Sequence, residues 1–510
     1  MAGGGMGSWV REHVWEIPLR RYLSLVLAVA LVAGGVFGVR TLMREARQCA
    51  PGVSRPAGEN ECLGVATGPY DFGQSQFSTV VDSIRKENST LKKGSYVTVA
   101  LMLPFTSTET TNLNDIEHQL QGAYLAQYWA NNSDDQRPKI RLVLANSGTS
   151  KDSWKPAVDQ LDRMTRSGDR LRAVVGIGQS TDSNQDAVAE LTRLHIAVVG
   201  SSITADDLAN GQPGKTSDPF PGLARVAPTN TDEAHALASF VQKTASKPTL
   251  VYDHPGDPYT NSLKESLTSL LNIPYTRQLS FERFDAPTEF SNIVPSLCSS
   301  TKGTRTILFA GRHTQLRQFL NALGGSQGCP DNSFQVLTGD EASYLTYDKD
   351  LNRAALADHG VSLLYTSLAH PDAWVTKNPP ATGGSAADYG VLRGLLDSDK
   401  RGPIGAIRLD DGQLIIGYDA MRLAVEGIHR AVLPGDATTE NQLKAVGRAW
   451  PSVQGPRKVH GASGWICLDG HGNPSDKAVP IVQLDADQKP KFIQLAWPLG
   501  RPPHDNCPMS

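Results

Sequence analysis

The 510-residue chain has no excess of charge: 49 Lys and Arg against 52 Asp and Glu leave a formal net charge of -3. That argues against a general nucleic-acid binder, which needs a basic surface to displace counterions. It has no Cys-x-x-Cys pair, and no histidine stands at ligand spacing from any of its six cysteines, so neither a zinc module nor another metal site is expected. The twelve histidines are scattered and no nucleophile–base–acid set is found, so neither enzymatic activity nor a cofactor is expected. Three look-alikes fail on inspection. Gly176-Ile177-Gly178-Gln179-Ser180-Thr181 lacks the third glycine of a dinucleotide fingerprint. Gly214-Lys215-Thr216 has Ala209 where a phosphate loop opens with glycine. Gly324-Gly325-Ser326-Gln327-Gly328 follows a helical stretch, whereas a nucleophile elbow follows a strand.

What is present is a folded, multi-domain composition, with 39% apolar and 20% charged residues. Cys49, Cys62, Cys298, Cys329, Cys467 and Cys507 form three sequence-local pairs. An even count points to disulfides and an oxidising compartment. Cys49–Cys62, Cys298–Cys329 and Cys467–Cys507 is the connectivity with the shortest loops, with buried free thiols as the alternative. Leu23 to Val39 is an apolar run broken only by Ser24 and flanked by arginines. It is slightly short of the about 20 residues that span a bilayer, and flanking Tyr22 and snorkelling arginines make it adequate. Ala28-Val29-Ala30 resembles a cleavage site but lies inside the run, so an uncleaved anchor is preferred to a signal peptide. The cysteines place the C-terminal bulk outside the cell membrane. No second long run follows, so a channel is not expected.

From Tyr96 onward near-continuous apolar strands alternate with amphipathic helices. Val97–Leu103, Ile140–Leu144, Ala173–Gly176 and Ile196–Val199 read as strands of one unit. Thr249–Tyr252, Thr306–Phe309, Phe334–Leu337 and Val361–Tyr365 read as strands of a second. The expected fold class is α/β, two lobes, each a doubly wound parallel sheet. Residues 464–497 read as a hairpin-like tail. Two strand ends of the first lobe run into hydroxyl-rich loops, Gly178–Ser183 and Gly200–Thr204. Such loops can bind a ligand's polar groups or simply cap the next helix.

The two-lobe pattern, these loops and the tail together resemble the type I periplasmic-binding-protein family. Within it the chain is similar to the extracellular receptors of branched-chain amino acid ABC transporters. The resemblance spans about residues 95–499 and rests on the order of four motifs: Leu101–Ser107 leading to Gln121-Gly122-Ala123, Val174–Ser183, Tyr418-Asp419-Ala420, and Gly464–Gly472. It implies lobe 1 at 95–228 plus 367–447 and lobe 2 at 229–366 plus 448–499. An N-terminus at 1–21, an anchor at 22–39, a connector at 40–94 and a tail at 500–510 complete the chain. The lobes would hinge near Pro228, near Thr366 and between Val446 and Gly461. It also implies that Ser180, Ser202 and Thr204 hold an amino acid's polar groups. Tyr259 would close over the ligand, and Glu341, or Asp340 by one register, would pair with its ammonium. Arg312 departs from the aromatic residues usual after that strand; it would favour a more acidic or polar ligand if it faces the cleft, and do nothing if it faces solvent. The implied role is capture of a small polar solute for an ABC permease or another membrane partner. The alternative is a sensor or scaffold of the same fold without transport.

Overall fold

The computed structural model describes residues 47–133, 138–212, 217–241, 247–298, 303–325, 332–357, 360–431 and 438–504, together with positions 22, 23, 26, 27, 31 and 507. The chain divides into two compact units, residues 1–62 and 63–510. In the first, strands β1 (Gln48–Ala50) and β2 (Val53–Ser54) pair antiparallel. The Cys49–Cys62 disulfide closes this unit as the spacing predicted. Among the described residues no helix is long and apolar enough to cross a membrane. Most of the run 23–39, predicted as an anchor, lies outside the described residues.

The second unit is built on two main sheets. The first holds β3 (Leu63–Ala66), β4 (Tyr96–Leu103), β5 (Lys139–Asn146), β6 (Leu171–Gly176), β7 (Ala197–Gly200) and β8 (Leu223–Arg225), in the order β3-β5-β4-β6-β7-β8. The second holds β9 (Thr249–Asp253), β10 (Gln278–Phe281), β11 (Gly303–Ala310), β12 (Asn332–Thr338) and β13 (Val361–Thr366). After the small hairpin of β14 (Val459–Gly461) and β15 (Gly464–Ile466) it is completed by β16 (Val479–Leu484) and β17 (Pro490–Ala496). Its order is β10-β9-β11-β12-β13-β16-β17.

The expectation of a parallel sheet in each lobe holds for the central strands and needs correction beside them. β3 runs antiparallel to β5 in the first sheet, and β16 and β17 run antiparallel at the edge of the second. A tight connection between β16 and β17 permits only that direction, because a parallel neighbour needs a long crossover. Leu63–Ala66, inside the stretch predicted as a connector, is a fully buried strand.

Central strands are largely apolar because both faces are covered. Seven of the eight residues of β4 are buried. Alternate residues of β11 feed opposite cores, since side chains change face at every step. Ile307 and Phe309 join Phe281, Phe290 and Phe319 on one side, and Leu308 and Ala310 join Leu263 and Leu267 on the other. Each such phenylalanine contributes about 1.5–3 kcal/mol by leaving water.

Five helices position the site: α1 (Thr110–Asn132), α2 (Asp182–Arg193), α3 (Pro258–Leu271), α4 (His313–Gly325) and α5 (Gln413–Arg430). α3 starts at a capping box made by Asp257 and Thr260, with Pro258 in its first turn. α2 starts at Thr181, whose hydroxyl accepts the Asn184 N–H. The Cys467–Cys507 disulfide ties down the C-terminal end. Cys298 is also disulfide-bonded, while its predicted partner Cys329 lies outside the described residues.

Candidate functional site

β4 and β5 end side by side, Leu103 opposite Asn146, and β6 ends at Gly176 opposite Met102. The chain leaves these carboxyl ends through loops that bound a cavity of about 180 Å³. Open α/β sheets bind ligands at this edge. Ser107, Asp115, Ser147 and Gln179 line the cavity from the first lobe. Tyr344 lines it from a 3-10 helix, Asp340–Tyr347, that follows β12 of the second lobe. Just before Gly178, which lines the cavity, Ile177 has φ of 69°, between Gly176 at 99° and Gly178 at 83°. A β-branched residue in that region costs about 1–3 kcal/mol, and such positions gather at ligand clamps.

The six predicted ligand residues are brought together, and in this structure they bind one another and the backbone. None of them lines the cavity. The Ser180 hydroxyl accepts from the Thr204 and Ala205 N–H groups at 3.1 and 3.2 Å. The Ser202 hydroxyl donates to the Gly178 carbonyl at 3.1 Å. The Thr204 hydroxyl donates across the lobes to Asp340 at 3.5 Å. Arg312 is buried, which settles the two readings of its direction against solvent. Its guanidinium donates to Asp257 at 2.8 Å, to Glu341 at 2.6 Å and, across the lobes, to the Ser180 carbonyl at 2.6 Å. It also lies 4.8 Å over the Tyr259 ring. Glu341 further accepts from the His313 backbone N–H at 3.1 Å and pairs with its ring Nδ1 at 2.8 Å. An acid at the first turn of α4 is favoured there by the helix dipole.

Burial works to raise the Glu341 pKa, but the Arg312 charge and the His313 contacts outweigh it and hold it down at about 2. Its neighbour goes the other way. Burial first, and then the Glu341 charge, push Asp340 up to about 7. Glu233 is pushed up in the same way, by burial and then by Asp340. A carboxyl whose folded pKa is raised binds its proton more tightly when folded, so stability falls as pH climbs from the unfolded to the folded value. We expect stability to decline between about pH 4 and pH 7, by up to roughly 4 kcal/mol for Asp340, since each pH unit between the two values weighs about 1.4 kcal/mol. Denaturant titrations across that window should show the slope flattened in Asp340→Asn. An unchanged slope would rule Asp340 out as its source.

Sequence reasoning missed an inward polar stripe on α1. Asp115, His118, Gln119 and Gly122 follow one another at helical spacing beside the apolar face. His118 and Asp411 pair at 2.5 Å, and the Tyr347 hydroxyl of the second lobe donates to Asp411 at 2.6 Å. Gln119 links Ser201 and Gln413 at 2.6 and 3.0 Å. The available signal was that polar residues recur at the same interval as apolar ones. Among the described residues no cluster of His, Cys, Asp and Glu suits a metal ion.

No protein-family model matches the chain. No curated protein matches it either. Solved structures do. A branched-chain amino acid transporter substrate-binding protein, LivJ from Streptococcus pneumoniae, in complex with isoleucine, is 13% identical, with a TM-score of 0.54 over 78% of this chain and 99% of that one. The leucine-binding protein LivK from Thermotoga maritima is 18% identical, with a TM-score of 0.54 over 78% and 98%. A solute-binding protein of an ABC transporter from R. palustris, in complex with benzoate, is 15% identical, with a TM-score of 0.53 over 78% and 96%. The chain has the type I periplasmic-binding-protein fold, and these structural neighbours are solute-binding proteins, not enzymes.

Proposed function

We propose that the chain is a membrane-tethered extracytoplasmic solute-binding protein that captures a small polar ligand between its lobes. The carrying observation is the cavity of about 180 Å³ at the carboxyl ends of β4, β5 and β6, closed by Tyr344 from the opposite lobe. A ligand touching both sides favours the closed form by its differential affinity, and closure is then what a membrane partner reads. The neighbours' ligands, isoleucine and benzoate, set the size range and agree with a pocket for one small molecule. The apolar run 23–39 and the disulfides support a single anchor with the bulk outside the cell. An ABC permease is the partner that fits uptake.

The test is a thermal-shift screen of the full chain in detergent against amino acids, amines and aromatic acids. A ligand at 100 times its Kd adds about 2.7 kcal/mol, which raises the melting point visibly. Silence across all three classes would remove the solute-binding reading. Arg312 favours a second reading, because the lobes are bridged by the chain's own side chain. In that reading the closed body is itself the signal, as in a sensor or scaffold for an envelope protein. Crosslinking to membrane partners separates the two: a permease supports uptake, and another membrane protein supports sensing.

A further inference from the structure

We infer that the cleft cavity takes a small organic cation, a compound whose protonated amine pairs with Asp115; this rests on the solute-binding reading and names the class of solute. Asp115 is 2% exposed and lines the cavity. Among the described residues neither carboxyl oxygen has a hydrogen-bond partner of normal geometry. Buried polar groups in native proteins are satisfied, and a buried acid without a partner is costly. The nearby cations are already engaged. Arg312 is held by Glu341 and Asp257, His118 by Asp411, and Arg408 by Asp410.

The charged groups that act on Asp115 are therefore acids: Asp411 on the segment entering α5, and Glu341 and Asp340 on the second lobe. The Tyr344 hydroxyl offsets only part of the burial. With no cation beside it among the described residues, burial first and the Asp411 charge second push the Asp115 carboxyl well above the usual range. An arriving ammonium reverses that balance, because an opposite charge at contact favours the ionised form. The carboxyl proton then leaves to solvent as the ion pair forms. A carboxylate ligand presented to the same wall would meet acids instead. The volume is that of about six waters, room for a compact amine and not for a peptide.

The experiment is calorimetry on the full chain with matched probes: 1,4-diaminobutane against 1,4-butanediol, and ornithine against norvaline, with leucine and benzoate alongside. The net cation of each pair, 1,4-diaminobutane or ornithine, is expected to bind at least tenfold tighter, since norvaline's single ammonium is offset by its carboxylate. It is also expected to release a proton, read as a heat that changes with the buffer's ionisation enthalpy. Asp115→Asn, nearly isosteric, is expected to cut the amine preference at least tenfold. Equal affinities within the pairs in the natural chain overturn the inference, and that comparison needs no variant. So does an amine preference that survives Asp115→Asn. Norvaline, leucine or benzoate binding without amine preference would leave the solute-binding reading standing and the cation inference refuted. Failure of every probe would refute both.

Discussion

Arg312→Met is expected to destabilise the folded protein by about 3–5 kcal/mol, the usual effect of removing one partner from a buried ion pair. The guanidinium is buried and bonded to Asp257, Glu341 and the Ser180 carbonyl at once. Without it Glu341 keeps His313 but loses its principal counter-charge, and Asp257 keeps the Thr260 N–H and, as its cation, Arg283 at 3.3 Å. The Ser180 contact also crosses from one lobe to the other, so the variant loses a tie between them. Arg312→Lys should recover little, because an ammonium is a point charge and cannot span three acceptors set in a fork. Arg312→Met combined with Glu341→Gln should be less damaged than the sum of the two single changes, since the second removes the charge that the first leaves exposed. Urea unfolding of the natural chain and these four variants provides the check. A single-variant loss under about 1 kcal/mol would mean that the pair is not holding the cleft together.

Most of the fold was legible because its central strands leave no ambiguity. Tyr96–Leu103 and Val361–Thr366 are apolar runs of strand length between turn residues, and helices with clear faces separate them. What was hidden was short or at an edge. Leu63–Ala66 and Gln278–Phe281 have four residues each, too few to show a period. Sheet direction was hidden too, since antiparallel edges depend on which strands become neighbours.

The candidate site was legible as loops and not as contacts. The sequence shows a hydroxyl at Ser180 and at Ser202 without showing that backbone groups of the facing loops use both. It shows acids at Asp340 and Glu341 without showing that Arg312, on another strand's exit, engages one and leaves the other unpaired with a cation. Asp115 escaped notice because a lone acid in a helix normally faces water. Here α1 is buried on more than its apolar face, since α5 and the second lobe's 3-10 helix cover it as well.

That covering makes the crossing of α1 and α5 the second place where a small change should have a large effect. Two motifs that carried the family resemblance, around Gly122 and around Tyr418, meet there. A Cβ on Gly122 would stand 2.2 Å from the Leu414 carbonyl oxygen and 2.5 Å from the Tyr418 nitrogen, and one on Gly417 would stand 2.6 Å from the Gln119 carbonyl oxygen. These obstacles are backbone, so no rotamer change relieves them. Gly122→Ala and Gly417→Ala are each expected to cost about 2–3 kcal/mol, near the upper end for overpacking a core. The gain of about 0.5–1 kcal/mol that alanine normally brings to a helix is too small to compensate. That gain should appear alone at Gly390, in the helix Ala386–Leu396, where a Cβ meets nothing within 4 Å. The two damaging changes share one contact, so the double variant should lose less than their sum. Widening the crossing also shifts Gln119 from Gln413 and Asp115 from the cavity wall, because all three sit within about two turns of the glycines. Ligand affinity should therefore fall in Gly417→Ala even where the protein remains folded, whereas Gly390→Ala should leave it unchanged. Equal melting points for Gly417→Ala and Gly390→Ala would show that the helices do not approach this closely in solution.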